Sequence, residues 1–108
     1  MTKAELVALL ANVITGLDNA LTDDDLLADP AMWQLVYAVR KHLDDQQRDL
    51  LKAVLQEENA AYEVLTAQIQ AAANGLNQVI SDMQHVDAIV ADVTRISADV
   101  DQVLKLVA

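Results

Sequence analysis

Cysteine and phenylalanine are absent from this sequence, and proline occurs once. Each absence removes a class of protein. Without cysteine there is no disulfide framework, no zinc–thiolate centre and no thiol nucleophile. Two glycines, Gly16 and Gly75, are too few for a phosphate-cradling loop, and no GxSxG elbow occurs. One Trp and two Tyr leave little ring surface for stacking a base. Basic residues are scarce too: seven Lys and Arg stand against seventeen acids, for a net charge of −10. The seven (Lys3, Arg40, Lys41, Arg48, Lys52, Arg95, Lys105) form no large patch. Nucleic-acid binding rests on clustered cations that neutralise phosphates, so no nucleic acid is expected as a partner. Anionic membrane surfaces are disfavoured for the same reason. No stretch reaches the ~18 uninterrupted apolar residues of a membrane span, so no membrane insertion is expected. Glu5 interrupts the apolar run soon after Lys3, which argues against a leader. The expected location is cytoplasmic.

What is present is aliphatic. The hydrophobic fraction is 54%, and most of it is Leu, Val, Ile and Ala. Such residues build helix–helix seams. Thr2-Lys3-Ala4-Glu5 has capping-box spacing, with Glu three residues after the Thr. Leu6, Leu10, Val13, Leu17 and Leu21 then follow on one line, with Val7, Leu9 and Ile14 beside it. A helix apolar over so much of its circumference expects neighbours on several sides. Gly16 weakens it by ~1 kcal/mol relative to Ala and is a candidate bend or end. Asp23, Asp24 and Asp25 read as a short second start, with acids where the helix dipole favours them. Asp29-Pro30 is the clearest boundary, an N-cap followed by a proline preorganised for the first helical turn.

From Ala31 the pattern is helical for a long way. Met32, Leu35, Val36, Val39 and Leu43 share a side, then Leu50, Leu51, Val54, Leu55, Ala61, Tyr62, Leu65, Ile69 and Ala72. Asp44 can pair with Arg40 and Arg48 at i, i+4, which favours continuity there. Asn74-Gly75 is the next candidate break, because both residues tolerate the left-handed conformation that ends a helix. Beyond it Leu76, Val79, Met83, Val86, Val90, Val93, Val100, Leu104 and Val107 alternate at spacings of 3 and 4. Ile89, Ile96 and Val103 widen the stripe beyond a two-stranded seam. The spacing also crosses Gly75 without a phase slip. The alternative is therefore a single rod of ~117 Å, which needs an oligomer around it.

Candidate chemistry is sparse. Asp82 and His85 have the i, i+3 carboxylate–histidine spacing of di-iron bundles, and Glu57, Glu58 and Glu63 are conceivable partners. The motif occurs once, with Asp in place of Glu, and Met83 and Val86 turn the stripe away from His85. His42, beside Asp45, reads as a helix-end histidine near the dipole. The acids at 23–25 and 29 lack the glycine and terminal Glu of a calcium loop and read as caps. Trp33 and Tyr37 form the only aromatic pair, suited to core filling or to a binding hot spot.

The sequence thus predicts an all-α helical bundle in one domain, 1–108. Residues 1–28 form an N-terminal helical segment and 29–108 a long hairpin, with helices about 3–21, 31–73 and 76–107. The breadth of the apolar stripes predicts self-association. The expected function is a non-enzymatic helical interaction module, a self-associating adaptor or assembly subunit, without cofactor or metal. Partners are expected to be protein: copies of itself, another helical protein, or both. Trp33, Tyr37, Ile89, Val93, Ile96, Val100 and Val103 are the expected partner-binding residues. Two alternatives stand beside it: an acidic chaperone or inhibitor for a basic or amphipathic helix, and a carboxylate-bridged metal enzyme at a dimer seam.

Overall fold

The computed structural model describes residues 1–82 and 86–106. Among the described residues five helices follow one another: α1 (Lys3–Leu21), α2 (Asp24–Leu27), α3 (Pro30–Lys52), α4 (Ala60–Asp82) and α5 (Val86–Leu104). Among the described residues there is no strand, and the helices pack into an all-α bundle.

The starts follow local chemistry. The Glu5 amide donates to Thr2 Oγ1 and the Thr2 amide to Glu5 Oε1, both at 3.1 Å, so the capping box forms. The bond from the Thr2 amide, aided by the Thr2 side chain, favours the ionised carboxylate and holds the Glu5 pKa below its ordinary value. Asp29 caps α3 by accepting the Met32 amide, with Pro30 in the first turn. Asn59 accepts the Ala61 amide at 2.8 Å and so caps α4.

The expected 31–73 helix divides. α3 ends at Lys52, residues 53–59 form a connection, and α4 runs unbroken through Asn74-Gly75. The end of α3 carries neither Gly nor Pro. Its closure comes from far away: the Lys3 ammonium donates to the carbonyls of Leu51 at 3.3 Å and Ala53 at 2.9 Å. A cation at that position satisfies orphan carbonyls and suits the helix dipole. Asn74-Gly75 lacks any such reason to stop. Gly75 does not have the positive φ of a helix-ending glycine, and the periodicity crosses it intact. The expected third helix, 76–107, is replaced accordingly by the end of α4 and by α5; residue 107 lies outside the described residues.

Contacts then set the topology. Asp18, Leu21 and Val7 of α1 meet Arg40, Trp33 and Gln47 of α3, so these two run antiparallel. Gln46 of α3 reaches Ser97 and Asp101 of α5, in parallel register. Gly75 and Gln68 of α4 face Asp92 and Asp99 of α5, antiparallel. Gly16 of α1 lies against Ile80 of α4, and Met1 lies near Thr66, again parallel. Around the bundle the order is α1, α3, α5, α4. The 53–59 connection therefore crosses the diagonal of one end. Two hairpins, α1/α3 and α4/α5, pack face to face, in place of one long hairpin. The molecule measures 44 × 21 × 18 Å, which excludes the ~117 Å rod.

The core explains the broad stripes. Leu6, Leu10, Val13 and Leu17 of α1 are covered by α3 and α4, while Ile69 and Leu76 of α4 face Ile89, Val93, Ile96 and Val100. Gly16 neither ends nor bends α1. It permits close approach, since a Cβ there would sit 3.3 Å from Ile80 Cδ1. By length and mean hydropathy α1 would also suit a membrane span, but here its apolar row fills the core.

Gly75 is a direct test of helix continuity. A Cβ there meets only Asp92 Oδ2 at 4.0 Å, an ordinary contact. Gly75→Ala is expected to stabilise the fold by about 0.5–1 kcal/mol through helix propensity. Urea denaturation measures this; a loss of stability would mean that the chain turns at Gly75.

Candidate functional site

The seam between the parallel helices α3 and α5 is incompletely filled. On α3 it is lined by Ala38, Val39 and His42, and on α5 by Thr94 and Ser97. Small side chains at Ala38, Thr94 and Ser97 leave a cleft of about 250 Å³. The Thr94 hydroxyl is spent on the Val90 carbonyl at 2.7 Å. His42 is exposed in the middle of α3 and not at a helix end, because the helix passes Asp44 without a break. Asp44 instead pairs with Arg48 at 2.9 Å and Arg40 at 4.0 Å. Heptad spacing gives the rims of the seam. Leu35, His42 and Asp49 share one edge of α3, and Asp87, Thr94 and Asp101 share one edge of α5. Asp101 is anchored there by Gln46 Nε2, which donates to its carboxylate at 2.7 Å. Among the described residues Asp49, Asp87 and Asp101 form no salt bridge.

A second, shallower groove lies on the opposite side of α5. Gln68, Ala71, Ala72 and Gly75 of α4 face Asp92, Arg95 and Asp99. Asp92 and Arg95 pair at 3.8 Å. Desolvation raises the Asp99 pKa, against the opposing pull of Arg95.

The expected partner-binding residues separate into two groups. Ile89, Val93, Ile96, Val100 and Val103 are fully buried by the chain's own helices, so contact with a partner would require the bundle to open. The stripe they form is wide because two neighbours, α3 and α4, pack against α5 in place of one. Trp33 and Tyr37 stack at 5.3 Å, 8° from parallel. Trp33 is half-buried, and its Nε1 donates to the Leu21 carbonyl at 2.9 Å, closing the end of α1. Tyr37 remains 46% exposed. The surface residues Leu35, Ala38, His42 and Thr94 were not among the expected contacts. Their signal was the small side chains facing each other across one seam, which no single helix reveals.

Among the described residues no three of His, Asp and Glu gather as a metal ligand set. Of the Asp82–His85 pair, His85 lies outside the described residues. Searches for a matching family model, a similar curated protein and a similar solved structure found no match.

Among the described residues two buried polar atoms lack partners: Gln46 Oε1 and the Tyr62 hydroxyl. Tyr62 is fully buried, and desolvation raises its pKa, assisted by the charges of Glu57 and Glu5. Tyr62→Phe is expected to stabilise the fold by about 1 kcal/mol at neutral pH, since it removes an unpaired buried hydroxyl. The sign at alkaline pH follows from linkage. A raised folded pKa gives stability that is whole below the unfolded value of ~10 and is lost as pH rises through the folded one. The advantage of the Phe variant should therefore widen above pH ~10 in parallel denaturation curves.

Proposed function

We propose that the protein is a non-enzymatic helical interaction module whose partner is a basic, amphipathic helix, in the manner of an acidic chaperone or inhibitor. One observation carries this reading. The core closes on itself, yet the α3/α5 seam stays open, with exposed Leu35 and Ala38 beside carboxylates that have no cation among the described residues. The net charge of −10 adds long-range attraction for a cation-rich partner. A bundle of this kind can hold a partner helix as readily as it holds its own, by apolar anchors in a groove.

Self-association is the second reading. It rests on Leu51 and Val54, which are 58% and 67% exposed beside one another where α3 ends. Light scattering after size exclusion, over a range of concentrations, separates the two. A monomer that binds cationic amphipathic peptides and not anionic ones of equal hydrophobicity is the expected result. A stable dimer that binds neither would replace this reading with the self-associating one.

A further inference from the structure

We infer that the partner helix lies along the α3/α5 seam, inserts one apolar side chain into the cleft between Ala38 and Thr94, and sets a cation one heptad to either side. This rests on the interaction-module reading and gives it a site and a pattern. The cleft, about 250 Å³, is smaller than the roughly 300–1,000 Å³ of small-molecule sites. It suits a single side chain delivered by a larger body. Ala38 and Val39 line it with aliphatic surface, and the Thr94 hydroxyl is already occupied. An aliphatic or aromatic anchor therefore enters with little polar desolvation.

The rims dictate the rest. Asp87 lies one heptad before Thr94 and Asp101 one heptad after it, both exposed. Two heptads span ~21 Å of helix axis, so a partner helix running along the seam carries its cations at that same separation. Asp49, one heptad beyond His42, adds a second carboxylate at the Asp101 end. No Lys or Arg occupies these two heptad edges. The occupant is accordingly a basic helix. A second copy of this chain is a poor fit, since it brings its own excess of acid. Carboxylates at both ends of the cleft also set the register, because a shift of one heptad places a cation over the cleft.

The test uses the intact protein and a synthetic amphipathic peptide of about three heptads, with leucine at its centre and lysine one heptad to either side. Isothermal titration measures its affinity for wild type, for Ala38→Arg, and for the control Ala8→Arg on the exposed face of α1. Position 38 is exposed, so the substitution leaves the core intact, as circular dichroism would verify. Ala38→Arg is expected to weaken binding at least about tenfold, with Ala8→Arg near wild type. Asp87→Asn with Asp101→Asn should weaken binding and flatten its salt dependence. Equal binding by wild type and Ala38→Arg would overturn the seam while leaving the basic-partner reading standing. No binding of any cationic helix by wild type would overturn both. A wild-type dimer dispersed by Ala38→Arg would replace the basic occupant with a second copy.

Discussion

The end of α3 is closed by the ammonium of Lys3, which donates to the carbonyls of Leu51 and Ala53. The Lys3 amide also donates to Glu57 Oε1, which ties the connection to the start of α1. These bonds hold the 53–59 segment across the end of the bundle. Because the segment crosses the diagonal, α4 rises beside α1 and α5 descends beside α3. Every later contact follows from that crossing. Had the chain continued straight, α3 and α4 would be one helix and α1 would lack the cover that α4 gives it.

The crossing also makes the two kinds of seam unequal. Antiparallel neighbours α4 and α5 interdigitate Ile69 and Leu76 with the apolar row of α5. Between α3 and α5, small residues face each other and a buried glutamine bridges to a carbonyl and a carboxylate. Gln46 keeps one oxygen unpaired, a cost in stability that an aliphatic residue would not carry. Its two bonds hold α3 against α5 in parallel register, and the open cleft lies one turn away. The open cleft thus sits beside the exposed side chains of Leu35 and Ala38, between edges that carry Asp49, Asp87 and Asp101.

Charge shapes the surface in a second way. Arg40 is drawn between α1 and α3 by Asp18 at 2.8 Å and by Asp44, and the bond to Asp18 raises its pKa. Arg48 and Arg95 also face carboxylates on their own helices. Several of the few cations are thus consumed internally. The remaining acids give the outer face its sign, in keeping with the basic partner proposed above.

Much of the fold was legible in residue order. The capping box at Thr2, the Asp29-Pro30 start and the 3-and-4 spacing are interactions between residues within about one turn, so the sequence by itself determined the helical class, the start of α1 and the start of α3. The candidate site was not legible in this way. Ile89, Val93, Ile96, Val100 and Val103 are a conspicuous stripe in one dimension, but whether a stripe meets a partner or its own chain depends on how many helices surround it. The break at 53–59 had a weak local sign, the polar run from Gln56 to Asn59. The cap that closes it comes from a lysine 48 residues from the carbonyl it meets, a distance that helical periodicity cannot span. Tertiary structure alone decided the pairing of the helices and the seam left open, because both arise from contacts between residues far apart in the chain.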